Sequence, residues 1–169
     1  DDQQILNQSQ FGQLWQELRQ YDASKFLISY THPMDDGQSR TFKIKFDGEG
    51  VDDYGGPYRE IFQSVCDELQ MIDPNDPTKC YLPLLVPCQN IQGESQHSFN
   101  FLFNPSATSM VSLDLYKFLG QLMGIAIRSR ITLNVSFPSI FWKTVVREEL
   151  SVSDIQSFDE AAYNFIAHI

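Results

Sequence analysis

Between residues 46 and 62, FDGEGVDDYGGPYREIF, a strand end, a glycine-rich turn and a helix start share seventeen positions, and so tight a corner constrains everything packed beside it. Before it, Phe42, Ile44 and Phe46 alternate with Lys43 and Lys45, the period of two of a half-buried strand over 42 to 46. Gly48 and Gly50 break that strand. Gly55 and Gly56 allow a positive φ or an N-cap conformation, and Pro57 has the φ of a first helical residue, so the spacing predicts a helix from there to about Met71. Its apolar residues Tyr58, Ile61, Phe62, Val65, Cys66 and Leu69 recur at three and four positions and make one stripe.

A glycine loop between strand and helix also suits a phosphate cradle, but two features oppose one here. Gly48, Gly50 and Gly55 read G-x-G-x-x-x-x-G instead of G-x-G-x-x-G, and Asp47, Glu49, Asp52 and Asp53 would repel a pyrophosphate. A calcium loop fails too, because the D-x-[DN]-x-[DN]-G order is absent and no bidentate glutamate follows at the required distance. The loop therefore reads as structural, with Asp53 capping nearby amides or pairing with Arg59. Arg59 is expected to be buried and to bond Asp52, Asp53 or nearby main-chain carbonyls, and loss of such a pair in Arg59→Ala would cost ~3 kcal/mol.

Around this corner the pattern is mostly helical. Phe11, Leu14, Trp15, Leu18 and Tyr21 share one face of a helix predicted over 9 to 21, with Ser9 as its cap. Lys25 to Tyr30 is a short apolar segment, Trp15 and Phe26 are core candidates, and 31 to 40 is a polar loop. Residues 73 to 79 read as a surface loop, and Asp73, Asn75 and Asp76 read as solvated turn residues before they read as a cation site. Tyr81 to Val86, interrupted by prolines, is an irregular or edge segment, and a strand over 98 to 103 is expected to pair with 42 to 46. Ser112 caps the longest helix, with Asp114 in its first turn and Arg128 and Arg130 in its last. Leu115, Phe118, Leu119, Leu122, Met123, Ala126 and Ile127 form its buried face, and Gly120 and Gly124 are expected to admit a close-packed backbone.

Pro138 opens a helix running to about Glu149, and Ser151 with Asp154, then Ser157 with Glu160, match capping boxes. Phe158, Ala161, Ala162, Phe165, Ile166 and Ile169 give the final helix an apolar face that stops mid-pattern, as at the edge of a longer protein. The expected fold is α+β and helix-dominated, its helices packed around the long central one beside a small sheet. Residues 1–169 read as a single domain, with 1–41 as a leading helix and connector.

With 42% hydrophobic and 13% aromatic residues the chain is not disordered, and its net charge of −10 has the wrong sign for nucleic acid. The acidity suits basic protein partners or simply solubility. No apolar run reaches the ~18 residues of a membrane span, and DDQQILNQSQ has no signal-peptide character. Cys66, Cys80 and Cys88 lack C-x-x-C spacing and His32, His97 and His168 are scattered, so no metal, cofactor or disulfide framework is indicated. That usage fits a reducing compartment, the cytoplasm and also the nucleus. A catalytic thiol needs a base nearby. No cysteine here has one close in sequence; a Cys88 and His97 pair would have to be assembled in space, and the G-x-S-x-G elbow of a hydrolase is missing.

The pattern F-x-G-E-x…D-x-G-G-x-x-R-E-x-F, carried by Phe46, Gly48, Glu49, Asp53, Gly55, Gly56, Arg59, Glu60 and Phe62, resembles the opening signature of the HECT family of ubiquitin ligases. FLFNPSA at 101 to 107 and YKFLGQLMGIAIRSR at 116 to 130 are similar to the block that follows it in HECT N-lobes, most of all in the HERC-type subgroup. The resemblance implies the large subdomain of an N-lobe, with Gly120 and Gly124 joining the structural signature. It also implies a ligase that takes ubiquitin from a conjugating enzyme (E2) onto a C-lobe cysteine and passes it to substrate lysines. That cysteine follows a threonine, whereas Cys66, Cys80 and Cys88 follow Val65, Lys79 and Pro87, so no catalytic residue is expected here. The E2-binding subdomain and the C-lobe would be the partners of this chain, with ubiquitin and E2 partners of the whole ligase. A ubiquitin-holding patch in one HECT branch has an aromatic residue near the segment aligned with Leu84 to Gln89, which here lacks tyrosine. The alternative is a stand-alone acidic interaction module without catalysis.

Overall fold

The computed structural model describes residues 2–31, 33, 37–45, 56–92 and 100–168. The chain divides into two compact units, Asp1–Leu69 with Ala107–Asn134, and Gln70–Ser106 with Val135–Ile169.

In the first unit, α1 (Asp2–Gln8) and α2 (Gln10–Leu18) meet at Ser9, whose hydroxyl accepts from the Gly12 amide at 2.9 Å as the predicted cap. Phe11, Trp15 and Leu18 are buried, but the helix stops at Leu18 and leaves Tyr21 54% exposed. A 3-10 turn, Ala23–Leu27, buries Phe26, and β1 (Tyr30–Thr31) pairs antiparallel with β2 (Ser39–Arg40). The predicted strand is displaced: residues 42–45 lie outside any strand, and Phe46 lies outside the described residues. The alternation survives in burial, with Phe42 and Ile44 half-buried and Lys43 and Lys45 exposed. Phe42 packs its ring against Tyr58 at 5.1 Å and Phe62 at 6.3 Å, so an aromatic contact with a helix replaces the ladder.

That helix, α3 (Gly56–Gln70), buries the predicted stripe, Tyr58, Ile61, Phe62, Val65, Cys66 and Leu69. From its last turns Glu68 reaches across to α2, where its two carboxylate oxygens accept from the amides of Gln10 and Phe11 at 2.8 and 2.9 Å. These are first-turn donors with no partner inside their own helix, and a carboxylate also suits the positive end of the helix dipole.

The long helix α4 (Met110–Ser129) is capped by Ser109, not Ser112; Ser112 supplies the amide that donates to Ser109 Oγ. Leu115, Phe118, Leu119, Leu122, Ile125 and Ala126 are buried, whereas Ile127, expected inside, is 78% exposed because it lies one step past the stripe. Trp15 Nε1 donates to Asp114 Oδ2 at 3.0 Å and Phe11 meets Phe118 at 5.5 Å, which fastens α2 to α4. By length and mean hydropathy (1.3) α4 would suffice to cross a bilayer, contrary to the sequence expectation; core helices meet the same criterion, and this one packs its apolar stripe inside the unit.

The close approach expected at Gly120 and Gly124 is not found among the described residues. Among the described residues a Cβ at Gly120 would meet nothing within 4 Å, and one at Gly124 only an Arg128 nitrogen at 3.7 Å. The close approach is at Gly12, where a Cβ would stand 1.8 Å from the Leu6 carbonyl oxygen.

In the second unit, residues 73 to 79 form a hairpin instead of a loop: β3 (Ile72–Asp73) pairs with β4 (Asp76–Cys80) around Pro74 and Asn75. The acids weighed for a cation serve the turn. Asp73 Oδ1 accepts from the Asn75 amide, and Asp76 accepts from the Thr78 amide while pairing with Lys79 at 2.7 Å. Lys79 and Thr78 together hold the Asp76 carboxyl down at about 2. β5 (Leu85–Pro87), within the segment read as irregular or edge, pairs antiparallel with β6 (Phe101–Phe103), so the second strand takes this partner and not 42 to 46. Phe103, Phe137, Phe141 and Trp142 form an aromatic cluster with centroids 4.4 to 5.9 Å apart.

α5 (Ser139–Val146) follows Pro138 and stops at Arg147, short of Glu149. The Ser151 and Asp154 capping box is present, although it opens a 3-10 turn, Val152–Ser157. Asp154 is buried and accepts from Lys143 and from the Ser151 amide, and these two partners hold its carboxyl down at about 2. α6 (Glu160–Ala167) is capped by Asp159; Ser157, the expected cap, turns its hydroxyl back to the Asp154 carbonyl.

The glycines yield a test by sign. Gly120→Ala should raise stability by about 1 kcal/mol through helix propensity alone, whereas Gly12→Ala should lower it by about 1–3 kcal/mol through overpacking. Urea unfolding of both variants beside the parent checks this, and two changes of the same sign would contradict it.

Candidate functional site

Of the signature residues, Gly48, Glu49, Asp53 and Gly55 lie outside the described residues, as do Asp52, His32 and His97. Gly56 opens α3 with nothing among the described residues within 4 Å of a Cβ placed there, and Arg59 and Glu60 occupy its exposed first turns. Gly120 and Gly124 lie along α4 and are not brought to this corner.

Arg59 is not the buried residue expected from the sequence. It is exposed, and its Nε donates to Gln38 Oε1 at 2.7 Å, so the buried-pair cost does not apply. Gln38 is the residue that sequence reasoning missed. Only 6% exposed, it donates through Nε2 to the carbonyls of Ser129 at 2.8 Å and Ser39 at 2.9 Å. Tyr58 lies alongside, with its hydroxyl 3.3 Å from Ser129 Oγ and accepting from the Thr41 amide at 3.1 Å. Gln38 sits in a stretch without periodicity, and no sequence signal marks it; Ser129 was missed too, although its place after Leu115, Leu122 and Ile125 on the buried stripe of α4 is a signal that could have found it.

This polar tie stands behind a cleft of about 380 Å³ lined by Arg59, Glu60, Gln63, Arg130, Ile131 and Thr132. Arg130 ends α4 with φ 55, and its amide donates to the carbonyls of Ala126 and Ile127. A second cleft, about 250 Å³, lies along α2 and α4, where Arg19 stacks on Trp15 at 4.5 Å.

Neither cleft is lined by a cysteine among the described residues. Cys66, Cys80 and Cys88 are buried and none is in a disulfide, and burial pushes the first thiol up to about 11 and the others to about 12. A thiol at 11 is ionised in roughly one molecule in ten thousand at neutral pH. His168, exposed after α6, is the histidine among the described residues. Leu84 to Gln89, the segment aligned with the ubiquitin patch, is buried except for a half-buried Val86 and an exposed Gln89.

A HECT-domain (ubiquitin-transferase) family model matches residues 61–169. The chain is 32% identical over 153 residues to the E3 ubiquitin-protein ligase HERC2 of Mus musculus, covering 90% of this chain and 3% of that protein. It is 31% identical over 159 residues to the probable E3 ubiquitin-protein ligase HECTD4 of Homo sapiens, covering 94% and 4%. With the probable E3 ubiquitin-protein ligase hulA of Aspergillus niger it shares 30% over 125 residues, 73% of this chain and 14% of that protein. The chain thus spans a small part of the length of each of these relatives.

The raised thiols fix a pH dependence. Their folded values lie above the ordinary 9.0, so the stability they contribute is complete below pH 9 and is lost as the pH rises toward 11 and 12. Iodoacetamide should therefore leave all three unmodified in the native chain at neutral pH and alkylate all three in urea. Intact mass before and after denaturation reads this directly, and a thiol modified in the folded chain would contradict it.

Proposed function

Since the chain belongs to the HECT-domain (ubiquitin-transferase) family, we propose that it forms the N-lobe scaffold of a HECT-type E3 ubiquitin ligase, with the ubiquitin-carrying cysteine elsewhere in the longer protein. The state of the three thiols carries this. Transfer from a conjugating enzyme requires a thiolate that can reach the incoming thioester, and a buried thiol held at about 11 or 12 meets neither requirement. Ubiquitin and E2 are then partners of the complete ligase. Three cysteines outside any disulfide also fit a cytoplasmic setting that extends to the nucleus.

The rest of the domain is proposed to cover the exposed apolar residues of α5 and α6 in the second unit. α5 and α6 bury none of their residues, and Val145, Val146 and Phe165 are 59%, 68% and 72% exposed. Apolar groups left in water at this density mark an interface.

Incubating the 169-residue chain with activating enzyme, E2, ubiquitin and ATP should give no reductant-sensitive adduct, while the full-length protein should give one. An adduct on the isolated chain would overturn the scaffold role. By hydrogen exchange, α6 should exchange quickly from Phe165 onward in the isolated chain and slowly in the full-length protein. A chain that stays monomeric at all concentrations with α6 already protected would favour a stand-alone interaction module.

A further inference from the structure

The cleft beside α3 has the features of a carboxylate receptor. A guanidinium grips a carboxylate through parallel N–H donors, and the grip is tighter when its plane is held before the anion arrives. Arg59 is held this way, by the 2.7 Å bond from its Nε to Gln38, which is itself buried and fixed by its donations to Ser129 and Ser39. Among the described residues, the two terminal nitrogens of Arg59 meet no acceptor within hydrogen-bonding distance. Arg130 lines the same cleft from the cap of α4, where its backbone is pinned by two carbonyls and its guanidinium pairs with no acid among the described residues.

Glu60 sets the charge of the ligand. Among the described lining residues, two arginines against one glutamate leave a single positive charge in excess, which matches one carboxylate and disfavours a dianionic phosphate. Thr132 adds a hydroxyl, half-buried Ile131 gives an apolar surface, and about 380 Å³ admits a side chain with its adjoining backbone. The geometry points to a docking site for an acidic peptide segment of a partner protein, bound through one aspartate or glutamate side chain held between Arg59 and Arg130. This site is independent of thioester chemistry and does not require the chain to be an N-lobe scaffold.

The test uses the whole chain, ¹⁵N-labelled, titrated with N-acetyl-glutamic acid α-amide and, in parallel, with its neutral counterpart N-acetyl-glutamine α-amide. The acid should move the Nε–Hε resonances of Arg59 and Arg130 saturably and the neutral probe should not. Arg59→Lys, which keeps the charge but loses the fork, should weaken the acid about tenfold. Glu60→Gln should tighten it about threefold by removing a like charge, a gain that misfolding cannot mimic. Equal response to the neutral probe, tighter binding of inorganic phosphate, unchanged affinity in Arg59→Lys, or no gain in Glu60→Gln would each overturn the site.

Discussion

The amide of Gln38 is the smallest group on which the first unit depends. It answers three demands at once: a carbonyl left over at the end of α4, a carbonyl of β2, and the guanidinium of Arg59. Buried carbonyls without donors cost roughly 1–3 kcal/mol each, so one side chain replaces what would otherwise be two penalties. The hydroxyl of Tyr58 works in parallel, joining α3 to Ser129 and to the chain after β2. Together they turn a strand of only two residues into a fixed strut between two helices.

At the other end of α3, Glu68 solves the matching problem of opposite polarity. Its carboxylate fills amide donors at the start of α2, while Trp15 of that helix reaches Asp114 on α4. The apolar stripes bring these helices together without choosing a register; the polar ties choose it. The second unit uses the same device, with Asp154 collecting Lys143 and the Ser151 amide between α5 and the 3-10 turn.

Much of this was legible wherever a residue's role is set by its near neighbours. All six stripe positions of α3, the Ser9 cap and the Ser151 box rest on spacings of three and four, and each is present. Reasoning failed where the partner is remote. Gly12 lies inside an amphipathic helix, where its propensity cost was itself a sign of tight packing, yet Gly120 and Gly124 drew notice through their regular spacing and meet no close backbone among the described residues. The hairpin at 72–80 was hidden by prolines and aspartates that equally suit a loop, and strand pairing went to β5 because no local signal encodes which edge a strand meets. Of the cleft, Arg59 and Glu60 were legible as signature residues, while Arg130 was read only as a helix-end charge and Gln38 not at all.

The division into units has a temporal side. Each is built from two stretches, 1–69 with 107–134 and 70–106 with 135–169, so the chain passes from one to the other three times. Neither core is complete when its first stretch leaves the ribosome. The stripe of α3 must wait for α4, roughly forty residues later and therefore several seconds at usual rates of synthesis, and β6 waits in turn for the aromatic cluster to be finished by Phe137 and Phe141. Folding order is thereby interleaved: a nick at the middle crossing would leave two fragments that share both cores, and a nick at either outer crossing would divide one of them.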